Sequence, residues 1–207
     1  MNRNTPVRSQ RIRTMCTIAM FMAVELAMWL LGLGQVPFGP LNMSFLTVPV
    51  AIGAMLLGPI AGTILGATFG FTSFWDAMTG RSVLTGFFFG LNPFATFLLC
   101  VGMRALMGLV TGILYRAVRK LDRKQILCWF AGGLAAPLLN TCFFMGFIVA
   151  VFYHTEMVQN LVAKTGATNP FMFVILLVGV QGLVEAIVCT IVAGAVAKGV
   201  AKAMKLS

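Results

Sequence analysis

Three ionisable residues interrupt stretches that are otherwise apolar: Glu25, Arg104 and Glu185. A charge inside hydrocarbon is costly, so such residues face a protein interior or a cavity and mark binding sites, relays or ion pairs. The amides Asn92, Asn140 and Gln181 join them, with Trp75 and Tyr153 at the ends of apolar runs and Arg81 in a polar connection. An amide left unpaired among apolar helices costs on the order of 1–3 kcal/mol. These side chains are therefore expected to bond one another or a guest. Together they describe a pocket for a small polar molecule, with Trp75 as an apolar wall.

Bond-making chemistry is poorly served. No GxxxxGK[ST] phosphate loop is present, so the chain is not expected to hydrolyse ATP, and neither HExxH nor GxSxG occurs. His154 is the single histidine, and Cys16, Cys100, Cys128, Cys142 and Cys189 show no CxxC spacing. No cofactor and no metal are expected. A membrane enzyme, the competing class, would need convergent acid–base groups, and only Glu25, Arg104 and Glu185 are available.

The elements that position these residues follow from composition. Of 207 residues, 59% are hydrophobic and 10% charged, where soluble domains carry about 25% charged residues. Mean hydropathy is +0.96. From Glu25 to Asp76 no charge intervenes. The chain reads as one multi-pass membrane domain, residues 1–207, made of helices because lipid offers no partner to an open backbone.

The pattern predicts six spans, about 14–33, 43–57, 60–75, 88–115, 126–153 and 170–197, with Gly58-Pro59 as a hairpin between the second and third. The net charge of +10 sits between them. Arg3, Arg8, Arg11 and Arg13 precede the first, Arg116, Arg119, Lys120, Arg123 and Lys124 follow the fourth, and Lys198, Lys202 and Lys205 close the chain. Basic residues favour cytoplasmic segments, so both termini are expected inside. No basic face coincides with stacking aromatics, which argues against nucleic acid.

The stretch "GQVPFGPLNMSFLTVPVAIG" places Gln35, Asn42 and Ser44 before a short apolar run. It is expected to build and close a cavity near the outer face. Arg104 and Glu185 fall at similar depths, roughly 20 Å along their helices. They either pair structurally or form a substrate site. Gly58, Gly62, Gly66 and Gly70 line one helical face, as do Ala19, Ala23 and Ala27. Such ladders let helices approach closely, inside the bundle or against another subunit.

The order of "PFGPLNMSFLTVPVAIGAMLLGPIAGTILGATFGFTSFWDAMTG", "NPFATFLLCVGMRALMGLVTG", "LLNTCFFM" and "GVQGLVEAIV" along the chain resembles the substrate-binding S components of energy-coupling factor (ECF) vitamin transporters, most closely the pantothenate type. The resemblance implies a six-helix bundle in a bacterial cell membrane that binds a vitamin beneath its outer loops. It implies partners as well: a membrane scaffold subunit and two cytoplasmic ATPases that use the ATP. Toppling of the bundle in the membrane would release the cargo. The family's AxxxA docking motif matches Ala19, Ala23 and Ala27. For pantothenate, Arg104 or Arg81 would meet the carboxylate, and Asn92, Asn140, Tyr153 and Gln181 the hydroxyls and amide. If Glu185 instead faced the pocket, pyridoxine or hydroxymethylpyrimidine would fit better.

Overall fold

The computed structural model describes residues 7–38, 41–122 and 127–203. Arg3, Arg123, Lys124 and Lys205 lie outside them. Helix α1 (Val7–Leu30) leads into a two-stranded antiparallel hairpin, β1 (Gln35–Phe38) and β2 (Leu41–Ser44), paired from Gln35 with Ser44 to Phe38 with Leu41. Helices α2 (Thr47–Leu57), α3 (Pro59–Met78), α4 (Val83–Leu91), α5 (Pro93–Phe97), α6 (Met103–Leu121), α7 (Leu127–Phe147), α8 (Glu156–Thr165) and α9 (Pro170–Ala203) follow. A π-helical turn at Leu98–Gly102 fuses α5 to α6, and another at Ile148–Phe152 extends α7.

Among the described residues four helices are long and apolar enough to cross a bilayer: Arg11–Leu30, Pro93–Leu121, Leu127–Phe152 and Pro170–Lys202. Helix α2, with 11 residues, spans about 16 Å at 1.5 Å per residue and falls short of a bilayer core of about 30 Å. Helix α3 has the length, 20 residues, but buries Thr68, Thr72, Ser73 and Asp76.

Three boundaries differ from the sequence expectation. Residues 88–115 are not one helix. Asn92 caps α5, its Oδ1 accepting from Ala95 N–H at 3.1 Å, and Pro93 opens the new helix, so the chain breaks there. The run 43–57 begins as strand and turns helical at Thr47, which the preceding prolines and Asn42 favour over helix. The connection 154–169 contains α8, which tucks Val158 into a cluster with Phe88, Phe152 and Phe173.

The glycine ladder is a packing device. Helices α3 and α6 make the most extensive helix–helix contact of the described residues, and the reason is atomic. A methyl group at Gly66 would fall on the carbonyl of Arg104, at Gly70 on Cys100, and at Gly62 on Gly108, whose own hydrogen faces Gly62 in return. At Gly58 the backbone has φ +98, the left-handed region that favours glycine, and Arg116 lies across it. This turn sends α3 back beside α2.

Two apolar clusters fill the bundle. One joins Leu46, Val50, Leu65, Phe69, Met107, Tyr115 and Trp129 from α2, α3, α6 and α7. The other joins Leu84, Phe88, Leu99, Met145 and Phe173 at the far end, where Phe88 stacks on Phe152 with centroids 4.2 Å apart. Helix α1 is peripheral: only Phe21 and Glu25 of its clearly placed side chains are buried, and Ala19, Ala23 and Ala27 are exposed.

Candidate functional site

Beneath the hairpin lies a cavity lined by Gln35 and Ser44 of the hairpin segment, Ser73 of α3, Ser82 and Thr85 at the start of α4, Arg104 of α6, Asn140 and Phe144 of α7, and Gln181 and Glu185 of α9, among others. The space open to the centre of a water-sized sphere is about 70 Å³, several times the roughly 10–15 Å³ one water needs. Polar side chains converge here from the hairpin and from α3, α4, α6, α7 and α9.

Arg104 is 7% exposed and sits two residues past the π-helical turn, a kind of insertion that often marks functional positions. Its Nη1 donates to Cys100 O at 3.1 Å. The guanidinium lies between two aromatic faces, 4.4 Å from the Phe69 centroid and 4.8 Å from that of Phe144. Cation–π contacts of this kind are worth roughly 0.5–2 kcal/mol each and hold the fork without neutralising it. Its Nε is buried with no hydrogen-bond partner.

Glu185 accepts hydrogen bonds from Ser44 N–H and from the Gln181 side chain. The first of these ties the hairpin to α9. A second tie runs from Gln35 Nε2, which donates to Ser73 Oγ at 3.2 Å, and Thr47 Oγ1 donates to Ser44 O at 3.0 Å. No ion pair joins Arg104 to Glu185, although each lies in the other's field. Both charges face one cavity, each held by other groups.

Asn140 follows Pro137 by one turn on α7, and its Oδ1 is buried without a partner; the Ser44 hydroxyl is likewise unpaired. Three cavity-lining residues thus present an unmatched donor (Arg104 Nε), an unmatched acceptor (Asn140 Oδ1) and a hydroxyl able to do either. Most buried polar groups in folded proteins have partners. A guest molecule with an anionic end and hydrogen-bonding groups would supply these.

Of the residues singled out from sequence, Arg104, Asn140, Gln181 and Glu185 come together here. Trp75, Asn92, Tyr153, Arg81 and Glu25 lie elsewhere. Trp75 is half exposed on α3, and Asn92 is spent on its helix cap. Tyr153 packs edge-on to His154, 5.5 Å between centroids, while its carbonyl accepts from Gln159. Arg81 is exposed and stands 5.8 Å over the Trp29 ring, whose Nε1–H is shared by both Asp76 oxygens at 3.0 Å. Glu25 is fully buried on α1 and does not line the cavity. Ser73, Ser82, Thr85 and Phe144 contribute without having been anticipated; a hydroxyl buried in an apolar helix was the available signal for Ser73.

The chain is thus a many-helix membrane protein with a small polar cavity lined in part by its hairpin. The model of the family described as "ECF transporter, substrate-specific component" matches residues 13–197, and the chain belongs to that family. It is accordingly a multi-pass protein of the bacterial cell membrane. It is also similar to the pantothenate transporter PanT of Leuconostoc mesenteroides, with 31% identity over 129 residues, covering 58% of this chain and 60% of that protein. The matched stretch therefore spans less than two thirds of that relative's length.

Proposed function

We propose that this chain captures pantothenate in the cavity beneath the β1–β2 hairpin and carries it across the membrane as the binding subunit of an ECF importer. The observation that carries the reading is Arg104, held between Phe69 and Phe144 with its Nε unpartnered, in a cavity lining that also contains the unmatched Asn140 Oδ1. Pantothenate offers a carboxylate for the fork, an amide N–H for Asn140, and hydroxyls for Glu185, Gln181 and Ser44. Glu185 also lines the cavity, the placement expected for pyridoxine or hydroxymethylpyrimidine, but the Arg104 cation and the similarity to the pantothenate transporter PanT favour pantothenate over those two. Trp75, Arg81, Asn92 and Tyr153 have no part in this arrangement.

Six crossings with both termini in the cytoplasm complete the reading. The described basic residues support it, because Arg11, Arg13, Arg116, Arg119, Lys120, Lys198 and Lys202 occupy the start of α1 and the ends of α6 and α9. A scaffold subunit and two ATPases would supply nucleotide chemistry. Ala19, Ala23 and Ala27 are exposed on α1, as a docking stripe requires.

Two measurements check this. Calorimetric titration of the purified chain with a vitamin panel should give pantothenate a Kd of about 1 μM or tighter, with pyridoxine and hydroxymethylpyrimidine at least about 100-fold weaker. Pyridoxine binding tighter than pantothenate would overturn the ligand assignment. Ala23→Trp should abolish co-purification of scaffold and ATPase subunits while leaving pantothenate affinity unchanged, because residue 23 faces away from the cavity side of α1. An intact complex in that variant would remove the alanine stripe from the interface.

A further inference from the structure

The cavity lining holds one cation, Arg104, and one carboxylate, Glu185. They come from different helices and are not paired with each other. Gln181 and the Ser44 N–H donate to Glu185, and a carboxylate has about four lone-pair positions, so acceptor capacity remains for a guest. A ligand carboxylate placed on Arg104 uses the cation. Any further anionic group on that ligand would then share the cavity with Glu185, 4% exposed, and find no second cation among the described lining residues. Arg81 does not offer one, standing instead over Trp29 in the field of Asp76. Like charges brought together in this way are strongly disfavoured, whereas a hydroxyl hydrogen is welcomed by the same oxygen atoms.

We infer that Glu185 is a specificity-determining residue: it reserves its wall of the cavity for uncharged hydroxyl donors and excludes ligands that bear a second anionic group. The inference rests on the cavity's being the site for a hydroxylated monocarboxylate. It explains why a carboxylate stands in a cavity whose guest carries no positive charge. The importer would then take up the free hydroxy acid and reject its phosphate ester.

Titrations with three ligands test it: pantothenate, the ester phosphorylated on its primary hydroxyl, and the acetyl ester at that same hydroxyl, which adds bulk without charge. Wild-type protein should bind the phosphate ester at least about 100-fold more weakly than pantothenate and at least about tenfold more weakly than the acetyl ester, since both esters lose the hydroxyl hydrogen and gain bulk but only the phosphate adds charge. Equal rejection of both esters would make exclusion a matter of size and overturn the inference without any variant. Glu185→Gln should narrow the gap between pantothenate and the phosphate ester to below about tenfold, while Glu185→Asp keeps it. A gap untouched by Glu185→Gln, or lost equally in both variants, would also overturn it. Failure of pantothenate to bind wild-type protein would instead sink the reading of the cavity itself, and this inference with it.

Discussion

Replacing Arg104 with alanine is expected to weaken pantothenate binding by at least about 100-fold, because a hydrogen bond to a charged group is worth about 1.5–3 kcal/mol and the fork makes two. The argument rests on what already holds the side chain. Cys100 O occupies one Nη1 hydrogen, and Phe69 and Phe144 clamp the plane of the guanidinium. The orientation is therefore fixed before a ligand arrives, and little rotamer entropy remains to be lost on binding. A neutral analogue with an alcohol in place of the carboxylate separates recognition from damage to the fold. Wild-type protein should prefer the acid strongly over this alcohol. In Arg104→Ala the two should bind within about threefold of each other, both weakly. Arg104→Lys should recover only part of the preference, since an ammonium neither forks nor stacks as a guanidinium does. If Arg104→Ala bound the acid as tightly as wild type while remaining monodisperse, the arginine would be structural.

The sequence was informative where composition or period dictates structure. Long apolar runs became helices because hydrocarbon leaves the backbone no alternative. The four-residue glycine spacing became the α3–α6 crossing because only a missing Cβ admits such contact. Arg104, Asn140, Gln181 and Glu185 were identifiable since polar groups in apolar helices must find partners. Other features depend on tertiary structure. The hydrogen bond from Ser44 N–H to Glu185 joins residues 141 positions apart, and no local rule brings them together. An Arg104–Glu185 ion pair was a fair reading of two opposite charges at similar depth. It does not form, because the π-helical turn aims Arg104 between aromatic rings and the hairpin takes Glu185 first.

The residues that do not line the cavity teach the reverse lesson. Asn92 before Pro93 carried the signature of a helix start, an N-cap residue followed by proline at the first helical position, and that local role consumes its side chain. Trp75 and Tyr153 sit at helix ends, where aromatic rings suit the membrane–water boundary as well as a ligand wall. Arg81 found its company in Trp29 and Asp76, where α1 meets α3. For Asn92 and Arg81 a nearby group already engages the side chain, whereas Arg104 Nε and Asn140 Oδ1 in the cavity lining have no hydrogen-bond partner.

Substituting Gly66 with leucine should have the largest effect on stability and should also remove ligand binding, although residue 66 does not line the cavity. The new Cβ would clash with the Arg104 carbonyl oxygen, lying 2.9 Å from the carbonyl carbon and 3.2 Å from Ala105 Cα. These are backbone atoms of α6 and cannot rotate away. Separating the helices is the remaining response, at a cost of about 3 kcal/mol or more, beyond the roughly 1 kcal/mol that a better helix former returns. Because the clash falls on the residue that carries the guanidinium, any separation moves the fork relative to Phe69, which α3 supplies from the next turn. Gly66→Ala should therefore already lower pantothenate affinity while remaining folded. Gly146→Ala is the control: nothing lies within 4 Å of that position, so thermal unfolding in detergent should be unchanged or raised by up to about 1 kcal/mol. Equal behaviour of the two alanine variants would mean that α3 and α6 can part without disturbing Arg104, and the cavity would owe its shape to other contacts.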